Sequence, residues 1–155
     1  MTDRRLLDLL QSDTRQSLEV LAGKVHLSGP AVQRRISRLR ADNVISREVA
    51  VVDAKAVGLP MTFIISVELM QERADQVDAF SQSVAAEPLV QQCYYVTGET
   101  DFIIIAVAPD MEAFEGMTRR LFFENHNVRR FTTSVVMGAS HRTLSVPATY
   151  VLEQG

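Results

Sequence analysis

A chain of 155 residues, 46% hydrophobic and 23% charged, is long enough for one medium domain or two small ones with buried cores, and too apolar to be disordered. Its single cysteine, Cys93, excludes an internal disulfide; lying in an alternating apolar stretch, it reads as a small core residue of a cytosolic protein. The net charge of −3 conceals a division: residues 1–52 carry nine Lys/Arg against six Asp/Glu, and residues 53–155 carry seven against thirteen. That split pairs a basic, nucleic-acid-facing module with an acidic module of another purpose.

The amphipathic N-terminus lacks the layout of an export signal. The longest apolar run, 61–70, is interrupted by Thr62, Ser66 and Glu68. It is half the roughly 20 residues that a membrane-spanning helix needs, so a cytoplasmic location without membrane partners is expected.

In chain order, the leucines at 6, 7, 9 and 10 predict a short first helix over 4–10, broken by Ser12-Asp13. Ser17 is the N-cap expected for a second short helix carrying Leu18, Leu21, Ala22 and Val25, with Gly23 near its bend. Ser28 and Pro30 mark the start of a third helix, which Asp42-Asn43 ends, Asn tolerating the left-handed conformation of a C-cap. A period of two in Val44, Ile45, Val49, Val51 and Val52 then predicts a small hairpin or wing, and 53–60, with Gly58 and Pro60, a linker.

The remainder, 61–155, repeats a strand–helix–strand unit: strand 61–70, helix 73–86, strand 90–96, then strand 102–108, helix 111–123 and strand 128–139. Joined by a tight turn at Thr97-Gly98-Glu99-Thr100, these give a βαββαβ, ferredoxin-like domain. The expected fold is therefore α+β: a winged helix-turn-helix over 1–52, a linker over 53–60 and a ferredoxin-like domain over 61–155. Helices cover one face of such a sheet, and a second subunit is the simplest cover for the other.

The third helix carries the functional signal. Residues 28–47 hold five arginines and one acid, Asp42. At 100° per residue, Val32, Ile36 and Leu39 fall on one side; Pro30, Gln33, Arg34, Ser37 and Arg38 fall on the other. The apolar stripe suits packing on the first two helices. The outer stripe presents guanidinium forks and an amide, suited to guanine and adenine edges and to phosphates, with Arg35 and Arg40 flanking it for phosphate. A merely solvated face would interleave acids at i+4, and none follows these arginines until Asp42.

Four segments resemble the Lrp/AsnC, or feast/famine, family of prokaryotic regulators over nearly the whole chain. They are LLDLLQSDTRQSLEVLAGKVHLS (6–28), VQRRISRLRADNVI (32–45), the linker VDAKAVGLP (52–60) and VTGETDF (96–102). The resemblance implies dimers built through the βαββαβ domains, often assembled into octamers, and an amino acid or related metabolite as effector; no other cofactor, no metal and no catalytic residue is expected, since no Cys/His or Ser/His pair has motif spacing and no Gly-rich phosphate loop occurs. It places the recognition helix at Ser28 to Arg40 and the effector loop at Gly98 and Asp101. Family members often carry Gly where this chain has Asn43.

Gly98 and Asp101 admit two readings. They form and brace a hairpin turn; alternatively, amides along Gly98-Glu99-Thr100 hold a carboxylate while Asp101 pairs with an ammonium group, the pattern an α-amino acid requires. Thr132, Thr133 and Ser134 would add hydroxyls to that site between subunits. The binding partner expected of helix three is a pseudo-palindromic double-stranded operator with half-sites about 34 Å apart. Four basic residues per subunit, making roughly eight phosphate contacts per dimer, give a log K versus log salt slope of about −7.

Three other functions compete with a local regulator. An enzyme of similar build, such as the sirohaem decarboxylases, would use histidines around a tetrapyrrole, but His26, His126 and His141 are scattered without motif spacing. A nucleoid-organising protein would show low sequence selectivity. A metabolite-binding module with a vestigial helix-turn-helix would not bind DNA.

Overall fold

The computed structural model describes residues 1–138 and 143–150, which form two compact units: 1–50 with 143–150, and 51–138. His141 lies outside the described residues, as does Ala139, the expected end of the last strand.

In the first unit, helices α1 (Thr2–Ser12), α2 (Leu18–Val25) and α3 (Gly29–Ala41) enclose a core of Leu6, Leu10, Leu21, Val25, Val32 and Ile36. These residues recur at i, i+4 spacing within each helix, so each helix turns one apolar stripe inward. Ser17 caps α2, its hydroxyl accepting the Val20 amide at 3.3 Å. The chain turns between α2 and α3 at His26, whose φ is 55°, and not at Gly23, which lies inside α2. Leu27 N–H donating to Ala22 C=O at 3.0 Å holds the turn, and these backbone bonds offset the roughly 1–2 kcal/mol that the left-handed conformation costs a residue with Cβ. At the end of α3, Asn43 (φ 55°) takes the expected left-handed cap; Val44 N–H reaches Leu39 C=O at 2.9 Å and Asn43 N–H reaches Arg40 C=O at 3.1 Å.

No strand forms over 44–52, so the expected wing is absent: Val44, Val49, Val51 and Val52 are all exposed. A two-residue hairpin needs residues that accept positive φ at its turn, and Ser46-Arg47-Glu48 supplies none. Residues 53–60 are an ordered turn. Lys55 N–H is capped by Asp53 at 2.9 Å, and Leu59 N–H returns to Ala54 C=O at 2.8 Å around Gly58 (φ 85°).

The described residues 143–150 belong to the first unit, whereas the sequence pattern groups them with 61–138. Gln11 clamps Val146, its Nε2 donating to the carbonyl at 2.9 Å and its Oε1 accepting the amide at 2.8 Å. One turn earlier, Asp8 accepts Ala148 N–H (2.8 Å) and the Thr149 hydroxyl (2.7 Å), and Arg4 donates to Ala148 C=O at 2.9 Å. Positions 4, 8 and 11 share one helix face, so the polar side of α1 grips this segment, which turns at Ala148-Thr149 with Tyr150 N–H donating to Pro147 C=O at 3.1 Å.

The second unit is a four-stranded antiparallel sheet of order β2-β3-β1-β4, with β1 Met61–Leu69, β2 Val90–Tyr95, β3 Phe102–Ala108 and β4 Val128–Val135. Helices α4 (Ala74–Ala85) and α5 (Met111–Thr118) lie in the two crossovers, which makes the βαββαβ arrangement. The register puts Phe63, Ile65 and Val67 of β1 beside Ala106, Ile104 and Phe102 of β3. All six are fully buried. Phe63 stacks on Phe114 of α5 with ring centroids 3.9 Å apart, and Phe80 of α4 meets Phe102 at 4.8 Å. The opposite face is open: Ile64 is 41% and Tyr94 50% exposed. Its β1 residues Ile64 and Ser66 pair with Ile105 and Ile103 on one side and with Ser134 and Thr132 on the other.

The expected helix 111–123 is not α-helical throughout, for Arg119–Phe123 widens into a π-helical turn. The wider turn lets the adjacent Leu121 and Phe122 both point inward, the Phe122 ring lying 4.7 Å from Phe131.

Candidate nucleic-acid interface and effector hairpin

Helix α3 presents its outer stripe to solvent: Pro30, Gln33, Arg34, Ser37, Arg38 and Arg40 are exposed, and Arg35 is half-buried. Ser28 occupies the N-cap position in extended conformation, also exposed, but its hydroxyl makes no capping bond. Gln33 Nε2 rests 3.4 Å from Ser37 Oγ, a long contact that leaves both groups at the surface.

The arginines differ sharply from one another. Asp3, in the first turn of α1, divides its carboxylate between two of them: Oδ1 accepts Arg35 Nη1 at 2.7 Å and Oδ2 accepts Arg38 Nη2 at 2.6 Å. The Arg35 hydrogen bond is the main reason that the Asp3 carboxyl stays below the ordinary aspartate range, partial burial opposing it. Arg40 Nη2 sits 3.0 Å from both carboxylate oxygens of Glu48. Arg34 has no acidic partner among the described residues. One acid 32 and 35 positions away from its two arginines, Asp3, and another 8 positions beyond Arg40, Glu48, thus compensate the helix that the i+4 rule leaves uncompensated. Neither Asp3 nor Glu48 carries a local sequence signal for this role, because the pairings exist only once α1 and the 44–50 segment are placed beside α3.

In the second unit, the turn between β2 and β3 carries Gly98 at φ 129°, a conformation in which a Cβ is strained. Glu99 is exposed. Thr100 Oγ1 donates to Val67 C=O at 2.7 Å, and Asp101 N–H donates to the same carbonyl at 2.9 Å. Asp101 Oδ2 accepts the Leu69 amide at 2.6 Å. Asp101 therefore ties the hairpin to the end of β1; its other oxygen has no protein donor among the described residues. Nearby, the Tyr95 hydroxyl donates to Glu72 at 3.0 Å, and that bond raises the phenol above its ordinary value.

The three hydroxyls of β4 do not converge. Thr132 and Ser134 lie on the open face, but Thr133 pairs with Ile65 and so points to the helix-covered side, where its Oγ1 is buried without a hydrogen-bond partner among the described residues. The alternation of a strand dictates this split. His26 ends α2 and His126 lines an open groove with Arg120 and Asn127 of the second unit, so the two belong to different units.

Comparison with known proteins agrees with this geometry. Residues 1–40 match the AsnC-type helix-turn-helix domain, and residues 62–146 match the Lrp/AsnC ligand binding domain. The chain is 48% identical over 145 residues to the HTH-type transcriptional regulator y4tD of Sinorhizobium fredii, covering 94% of this chain and 86% of that protein. A crystal structure of an AsnC family transcriptional regulator from Agrobacterium tumefaciens superposes with a TM-score of 0.89 at 29% identity, over 96% of this chain and 97% of the other. The transcriptional regulator NMB0573 of Neisseria meningitidis, solved as a complex with L-Met, gives 0.89 at 28% identity over 97% of each chain. Helix-turn-helix, antiparallel sheet and these matches lead to one conclusion: the chain belongs to the Lrp/AsnC family of helix-turn-helix transcriptional regulators.

Proposed function

We propose that the protein regulates transcription in the cytoplasm as a homodimer, assembling further to octamers, that reads a pseudo-palindromic operator with α3 and answers to an amino acid bound at the β2–β3 hairpin. The observation that carries the DNA-binding surface is the exposed stripe of α3, with Arg34 free of any acid among the described residues and Gln33 and Ser37 beside it. These groups suit base edges and phosphates in the major groove, and α3's 13 residues span about 20 Å, enough to cross it.

The open sheet face supports the dimer reading, for Ile64, Ile103, Ile105 and Tyr94 have no covering layer in their own unit. The effector reading rests on Asp101, which keeps an oxygen to offer an ammonium group, and on Thr132 and Ser134 on the open face; Thr133 takes no part. The ligand complex of the N. meningitidis regulator makes an amino acid the first class to test.

The decisive experiment selects duplexes from a random-sequence pool with the purified protein, then titrates them by anisotropy at controlled salt with each of the twenty amino acids. Selective binding altered by one amino acid is expected. Absence of binding at low salt would leave a metabolite-binding module.

A further inference from the structure

Resting on the reading that α3 contacts DNA, we propose that Asp3 is a specificity-determining residue: it masks arginine charge on the recognition helix and so holds down sequence-independent binding. One carboxylate serves two arginines, an oxygen to each, at 2.7 and 2.6 Å. The trio Asp3–Arg35–Arg38 carries a single positive charge in place of two. Glu48 neutralises Arg40 in the same way. Of the four arginines between Arg34 and Arg40, only Arg34 and one residual charge remain for counterion release.

This count bears on selectivity because phosphate neutralisation supplies nearly all non-specific affinity, while base contacts set the difference between sites. Asp3 also positions. The Arg38 side chain is 59% exposed, yet one of its nitrogens is tied to α1 through Asp3, which restrains the guanidinium while leaving its other donors without an acidic partner among the described residues. An arginine held in place gives up less rotamer freedom on contacting a base than a loose one. Asp3, its own side chain 27% exposed, is well placed to serve both ends: fewer free charges for any phosphate, better aim for the right base.

The salt dependence tests masking in the unaltered protein. Two net charges per subunit give a log K versus log salt slope of about −4 for a dimer, whereas four fully active arginines give about −7. A measured slope near −7 overturns the proposal. Asp3→Asn provides the second test, with folding checked by thermal melting. Its affinity for a scrambled duplex should rise roughly ten-fold or more at about 0.15 M salt, its slope should steepen by about 2, and its ratio of selected to scrambled affinity should fall. Asp3→Glu, which keeps the charge, should remain close to the parent.

A folded Asp3→Asn protein with the parent's slope and ratio, in a background where Arg34→Gln still weakens operator binding, would reduce Asp3 to a structural brace and overturn the proposal. If Arg34→Gln and Asp3→Asn both left operator binding unchanged, the assignment of α3 as the DNA-reading surface would itself fail.

Discussion

Arg34 and Arg38 stand one turn apart on the same helix, and their surroundings assign them different tasks. Arg34, unconstrained, is expected to carry a base or phosphate contact in full: Arg34→Gln should cost about 1–3 kcal/mol of operator affinity, read by anisotropy. Arg40→Gln should cost less, because Glu48 already accepts its guanidinium. Asp101 allows its two roles to be separated. Asp101→Ala removes the acceptor of the Leu69 amide and should lower the stability of the second unit by about 1–3 kcal/mol in chemical denaturation. Asp101→Asn retains a carbonyl for that bond, so it should keep the fold and lose the response to an amino acid. The residues facing outward on α3 were legible in the sequence because helical periodicity alone sorts them. Their partners were not: Asp3 lies 32 residues from Arg35, and only tertiary placement joins them.

At the scale of the element, helix ends explain where the first unit is sensitive. Asn43 holds φ 55° just past the C-cap Asp42 of α3, so Asn43→Val should destabilise by about 1–2 kcal/mol in thermal unfolding, and Asn43→Gly should be neutral or stabilising. Acid acts on α1 through two carboxylates. Asp3, held down chiefly by Arg35, and Asp8, held down chiefly by the Thr149 hydroxyl, both titrate lower folded than unfolded. The unfolded chain thus binds more protons as these groups titrate. Their contribution is complete above the ordinary aspartate value of about 3.9 and is lost as pH falls through the folded values. Melting temperature measured from about pH 5 downward should fall, and Asp3→Asn should flatten part of that fall. The principal helices and strands could be read from period and capping residues. The missing wing, the bend at His26 and the π-helical turn could not, since each depends on a backbone choice that the apolar pattern does not encode.

For the molecule as a whole, the two faces of the sheet make opposite demands. Phe63, Ile65 and Val67 are satisfied within one chain, while Ile64, one position along, is 41% exposed beside Ile105. Ile64→Asp should therefore leave the folded second unit intact and shift light-scattering mass from dimer to monomer. The βαββαβ order was accessible from the repeat, since two such units can close only a few sheet topologies. The placement of residues 143–150 was not, because it is backbone recognition by Arg4, Asp8 and Gln11 and leaves no apolar signature.

That grip has a consequence in time. The groups joined by the Gln11 and Arg4 bonds are 135 and 144 residues apart, and at 5–20 residues per second their synthesis is separated by roughly 7–30 s. A nascent helix-turn-helix can bury Leu6, Leu21 and Val32 early, but α1 waits through the making of the entire sheet before its polar side is closed. Through that interval Arg4, Asp8 and Gln11 have no segment to hold, so this part of the first unit closes after its helical core and not together with it.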